Sequence, residues 1–153
     1  MELREDTFLE NFSAILDDTG LEPTSLILEL TESVLMNQAE EVASVLRSLR
    51  ERGIQVAIDD FGSGYSSLGY LRELPLNALK IDQSFVRQID ALDEDPVIVT
   101  AVICMARSLK LRVIAEGVET PKELAFLRAH NCDEAQPGHS HAVREIAQIG
   151  LSE

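Results

Sequence analysis

The chain has 153 residues, with 13 Lys plus Arg against 27 Asp plus Glu, a formal charge of −14 at pH 7, 45% hydrophobic residues and no Trp. This is the composition of one globular domain, long enough to bury a core without disulfide staples. The acidic balance argues against DNA, an RNA polymer or an anionic membrane as the main partner. It admits an anionic substrate only where a metal ion or a local cation neutralises it.

In chain order, Asp6 or Thr7 can cap a first helix whose buried stripe would be Phe8, Phe12, Ile15 and Leu16, and Gly20 would end it. The short run Leu26-Ile27-Leu28 reads as a strand buried on both faces and leads into Glu29-Leu30-Thr31-Glu32. A helix over 38–52 would bury Val42, Val45, Leu46 and Leu49 and stop at Gly53. A strand over 55–58 ends in Asp59-Asp60, and the loop Phe61-Gly62-Ser63-Gly64 leads to a short helix over 66–72. The next strand, over 78–82, ends at Asp82. Asp95 with Pro96 makes a cap and first-turn pair for a helix reaching Leu109. A strand over 112–115 ends in Glu116-Gly117-Val118-Glu119, and Thr120-Pro121-Lys122-Glu123 combines a capping box with a first-turn proline. A last strand falls over 132–136, and 142–149 could form a short helix on Val143, Ile146 and Ile149.

Strands alternating with helices predict parallel βα units, here about five. A complete (β/α)8 barrel takes ~250 residues. The expected α/β fold is therefore an open sheet or a partial (β/α)8 barrel of about five strands.

The longest apolar run, Val97 to Ala106, is polar only at Thr100. It falls well short of the ~20 residues that cross a bilayer. The N-terminus is acidic where a signal peptide is basic. Neither export nor membrane insertion is expected. Cys104 and Cys132 make no disulfide framework, and Cys104, inside the apolar run, reads as a small core residue. A reducing cytoplasm is the simplest compartment.

The acids carry the functional signal. Four successive predicted strands end in carboxylates, at Glu29, Asp59-Asp60, Asp82 and Glu116, and the fifth ends at Gln136. In parallel α/β folds the C-terminal ends of the strands gather on one face, which holds the site. Carboxylates crowded there repel one another unless cations neutralise them. Such oxygen ligands select hard ions, Mg²⁺ or Mn²⁺, and two ions a few Å apart suit phosphodiester cleavage. Asp82 also has the spacing of a helix cap. Of two consecutive acids after a buried strand, one must point inward. Lys80, within an apolar strand, is either a solvent-reaching edge residue or an inward cation facing the acids. Gly62-Ser63-Gly64 does not continue as a phosphate-binding glycine motif, and His139-Ser140-His141 reads as solvated rather than zinc-binding.

Four motifs occur in order: Glu29-Leu30-Thr31-Glu32-Ser33, Asp59-Asp60-Phe61-Gly62-Ser63-Gly64-Tyr65-Ser66-Ser67-Leu68, Leu79-Lys80-Ile81-Asp82, and Ala115-Glu116-Gly117-Val118-Glu119-Thr120. Together they resemble the EAL-domain family of bacterial cyclic di-GMP phosphodiesterases. The resemblance implies a modified (β/α)8 barrel that uses Mg²⁺ or Mn²⁺ to hydrolyse cyclic di-GMP to linear pGpG. It implies metal binding by Glu29, Asp59 and Asp60. Lys80 would hold the attacking water or a phosphate, with Glu116 assisting in the metal and water network. Glu32 and Glu119 would steady the loop from Phe61 to Ser67, Asp82 would support the site, and Gln136 would line it. The helix after Tyr65 resembles the family's element of homodimerisation.

The Glu-Ala-Leu motif that names the family, and a metal-binding Asn expected near it, are absent from these 153 residues. Residues 1–153 are thus expected to form the C-terminal portion of such a domain. After Gln136 the sequence departs from the family pattern, so that 137–153 read as a divergent tail. Three readings follow. One is a cyclic di-GMP phosphodiesterase of which this chain is an incomplete part, and another is a degenerate domain that binds the dinucleotide or a protein partner without cutting. The third is an inactive truncated product.

Overall fold

The computed structural model describes residues 5–37, 39–62, 68–91, 96–138 and 147–148. Five strands, β1 (Ile27–Thr31), β2 (Gln55–Phe61), β3 (Ala78–Ile81), β4 (Arg112–Val118) and β5 (Glu134–Pro137), pair in parallel and in chain order. A two-residue strand, β6 (Ala147–Gln148), pairs antiparallel with β5. The helices are α1 (Glu5–Thr19), α2 (Glu32–Asn37), α3 (Ala39–Glu51), α4 (Leu68–Leu71), α5 (Gln83–Val86), α6 (Gln88–Ala91), α7 (Val97–Ser108) and α8 (Pro121–Ala129). The alternation read from the sequence is present, as five parallel strands with helices between them.

The two faces of the sheet have different company. Val56 and Ile58 of β2, Leu79 and Ile81 of β3, and Val113 and Ala115 of β4 share one core with Leu46, Leu49, Ile103 and Leu127 of the helices. Each such Leu or Ile contributes about 1.5–3 kcal/mol by leaving water. On the opposite face, period-two alternation leaves Ala57, Ala78 and Ile114 in a separate small apolar layer. Below this layer, toward the strand starts, Arg112 donates to Gln55 at 2.9 Å and pairs with Glu134 at 3.1 Å. Above it stand the acids and Lys80.

Several expectations are met in detail. Val42, Val45, Leu46 and Leu49 are buried on α3, and Gly53, at φ 86°, follows its end. The Thr120 hydroxyl accepts from the Glu123 N–H while the Glu123 carboxylate accepts from the Thr120 N–H, so the capping box at α8 is complete.

Others are corrected. β1 is not buried on both faces. It is the edge of the sheet, paired only with β2, and Ile27 is 44% exposed. A continuous apolar run suggests a central strand, but burial depends on having a neighbour on each side. In α1, helix is already present at Glu5, ahead of the expected cap. Leu9, Phe12 and Leu16 pack on the core while Ile15 is exposed, and the side chain of Phe8 lies outside the described residues. α7 buries Val99, Val102, Ile103 and Ala106 and turns Cys104 to solvent. A helix apolar all round gives no period from which to choose the buried side. Pro96, not Asp95, occupies its cap position, and Asp95 lies outside the described residues. The expected helix over 142–149 is replaced at Ala147 and Gln148 by β6, and its other positions are not described. Between β3 and α7, α5 follows the cap that Asp82 offered, and the short α6 was not anticipated.

Candidate active site

β2 and β3 supply the centre of the site. In a regular strand Asp59 and Asp60 would face opposite ways. The pairing of β2 with β3 shifts register between Ile58 and Phe61, and Asp60 adopts φ 53°. This bulge and left-handed residue turn both carboxylates to the same end of the sheet. Carboxylate oxygens of Asp59, Asp60 and Glu116 come within 4.8 Å of one another. The sequence required one acid to face inward, and the backbone delivers two.

Lys80 rises from β3 on the face of Ala78 and is 4% exposed. Its ammonium lies 2.6 Å from Glu116 Oε1, 2.7 Å from Glu29 Oε1 and 3.5 Å from Asp59 Oδ1. Of the two readings of Lys80, the inward cation is the one observed. Burial alone would lower its pKa, but hydrogen bonds to Glu116 and Glu29, with the charges of Glu116 and Asp59, hold it above the ordinary lysine range. It is a cation at neutral pH, facing three carboxylates.

Asp60 shows that this one cation is insufficient. Burial, the charges of Asp59 and Asp82 and a side-chain hydrogen bond with Asp82 push its carboxyl up, against the pull of Lys80. Asp82 follows β3 and caps α5, its Oδ1 accepting from the Ser84 N–H at 2.8 Å. Hydrogen bonds from Ser84 hold the Asp82 carboxyl below the usual range despite partial burial. Asp82 thus has both the capping role and a place beside Asp60.

The remaining expected residues surround this centre. Glu32, at the start of α2, is 3% exposed, and its Oε2 accepts from the Gly62 N–H at 3.3 Å. That contact holds the first residue of the loop after β2; residues 63–67, with Tyr65, lie outside the described residues. Glu119, just past β4, pairs with Arg87 at 3.7 Å. Gln136 is half-buried on β5. One positioning feature escaped sequence reading. Gly117 has φ 69°, and a Cβ there would stand 2.5 Å from Gln83 Cβ. The end of β4, carrying Glu116, can lie against the start of α5 only without that carbon. A glycine within a strand was the available signal.

His130 is structural: its ring stacks on Phe126 with centroids 4.0 Å apart and its Nδ1 meets the Phe126 carbonyl at 2.9 Å. His139 and His141 lie outside the described residues.

The donor set at the strand ends is all hard oxygen, clustered and under-neutralised. It fits a hard divalent cation. The family model of the EAL domain matches residues 1–137. The chain belongs to the EAL domain family.

It is 51% identical over 121 residues to the cyclic di-GMP phosphodiesterase NbdA of Pseudomonas aeruginosa, which covers 79% of this chain and 16% of the relative. Among solved structures, the PaMucR phosphodiesterase in complex with c-di-GMP superposes with a TM-score of 0.82 at 38% identity, covering 88% of this chain and 55% of that one. A manganese and cyclic di-GMP complex of Klebsiella pneumoniae BlrP1 superposes with a TM-score of 0.77 at 31% identity, covering 88% of this chain and 34% of that one. The EAL chain described here thus spans about a sixth of the curated relative's length and about half of the PaMucR chain. Among the described residues no helix is long and apolar enough to cross a membrane.

Proposed function

We propose that this EAL chain contributes the strand-end carboxylates and the lysine of a phosphodiesterase that hydrolyses cyclic di-GMP to linear pGpG with Mg²⁺ or Mn²⁺. The observation that carries the proposal is the buried Lys80 ammonium held within 3.5 Å of Glu29, Asp59 and Glu116 at the C-terminal ends of parallel strands. Glu29, Asp59 and Asp60 are the residues to hold the cation, which when bound would supply charge neutralisation and an acidified water. Lys80 orients that water or a phosphoryl oxygen, since it keeps its proton and donates in up to three directions. Glu116 holds Lys80 in place and completes the oxygen cluster. Glu32 and Glu119 brace the loop that follows β2, Asp82 positions Asp60, and Gln136 lines the site. The in-line attack needs the phosphodiester held against a surface with its charge cancelled, and Lys80 is the chain's own contribution to that.

Residues 1–153 are read as the C-terminal portion of the domain, with 137–153 divergent and a homodimer contact through the region after Tyr65. The family's fold and an exposed thiol at Cys104 suit a cytoplasmic protein.

The test incubates the chain with cyclic di-GMP and Mn²⁺ and separates the nucleotides by chromatography, with Asp59→Asn alongside. Linear pGpG from the parent and none from the variant is expected where the carboxylates present suffice. Saturable binding of cyclic di-GMP without product would assign the chain to the binding-module reading. Neither product nor binding would overturn the proposal for this chain.

A further inference from the structure

At the other end of the sheet the charge is reversed. α3 ends at Arg50 and Glu51 just before β2 begins, and Leu74-Pro75 precedes the start of β3. Between them opens a cleft of about 570 Å³ lined by Arg47, Arg50 and Arg72, with buried Leu74 and Pro75 below. Glu51 and Glu73 also reach it, so its lining is net positive in a chain of charge −14.

The grouping of these arginines sets the cleft apart. Several other cationic side chains are engaged, Arg52 donating to Ser13, Arg107 to the Asn131 carbonyl, and Arg87, Arg112 and Lys122 pairing with Glu119, Glu134 and Asp90, whereas Lys110 and Arg128 stand singly, outside the cleft. The side chains of Arg47, Arg50 and Arg72 have no ion pair or hydrogen bond among the described residues. The dipole of α3 accounts for Arg50, in its last turn. It does not account for Arg47, one turn earlier on the same face, or for Arg72 on a separate element. With Glu51 and Glu73 the concavity holds three guanidiniums against two carboxylates, a positive balance that an anion would neutralise.

We propose that this cleft binds a small anion carrying phosphoryl groups, at a site separate from the strand-end carboxylates. Guanidinium forks match phosphoryl oxygens two at a time, and three forks from two elements suit a ligand with more than one phosphoryl group. The volume is that of a small-molecule site, and the Leu74-Pro75 floor gives an apolar surface for the rest of such a molecule. The site stands independently of the proposed hydrolysis.

The experiment is calorimetric titration of the full chain with inorganic pyrophosphate in EDTA at low ionic strength. EDTA keeps divalent cations from recruiting the anion to the carboxylates. Saturable binding is expected, weakened by about tenfold or more in Arg47→Ala/Arg72→Ala, as the loss of charge-assisted hydrogen bonds requires. Lys110→Ala, which removes one positive charge outside the cleft, should bind as the parent does. These side chains are exposed, so the variants keep the core. No saturable binding up to about 10 mM, far weaker than charge-assisted hydrogen bonds to several guanidiniums would give, would overturn the proposal. So would equal affinity in the double variant.

Discussion

Replacing Lys80 with Met keeps the length of the side chain and removes its charge. Removing one partner of a fully buried ion pair costs about 3–5 kcal/mol, because the other is left without compensation. Here the carboxylates of Glu29, Asp59 and Glu116 keep 45%, 25% and 27% of their exposure, so water recovers part of that loss. The expected destabilisation is about 2 kcal/mol at pH 7 in EDTA. For a chain of this size that is a fall in Tm of ~4–8 °C. The pH dependence follows from the titrating groups. The raised pKa of Lys80 gives a contribution that is full below the unfolded lysine value and is lost only as pH rises through the folded one. At neutral pH it is therefore wholly present. Thermal unfolding followed by circular dichroism at pH 7 measures this. A variant that melts with the parent at pH 7 would refute the electrostatic account of the cluster.

Gly117→Ala should destabilise by at least ~2 kcal/mol in urea unfolding, from the left-handed backbone and from the contact its Cβ would make with Gln83. Asp82→Ala should lose about 1 kcal/mol of capping stability at pH 7. Because the Asp82 carboxyl is held low by Ser84, that contribution is present above the unfolded aspartate pKa and vanishes as pH falls through the folded one. Parent and variant unfolding curves that stay apart at pH 2 would contradict this. Thiol titration of the native chain should find Cys104 reactive and Cys132 protected, since burial pushes the Cys132 thiol up to about 11. Equally fast reaction at both would show that the packing around Cys132 is wrong.

Legibility in the sequence followed how local the cause was. The α8 cap was readable because Thr120, Pro121 and Glu123 act within one turn. The buried face of α3 was readable because polar residues separate its apolar positions. Lys80 stood out because a charge within an apolar strand must be paired or reach water. The misread elements depend on what lies next to them in space. Leu26-Ile27-Leu28 has the composition of a central strand and leads into the edge strand of the sheet. Ile15 and Cys104 are apolar or nearly so and face outward because the core contacts other sides of their helices.

The sequence by itself determined the alternation of strands and helices, the acids at the strand ends and the lysine among them, since these follow from periodicity, turn chemistry and the cost of burying charge. Only the tertiary structure decided that Asp59 and Asp60 face the same way, that Asp82 both caps α5 and meets Asp60, and that three arginines without a partner among the described residues share one cleft. Each of these rests on a bulge, a left-handed residue or the approach of elements distant in the chain, and such geometry comes from packing rather than from local residue preference.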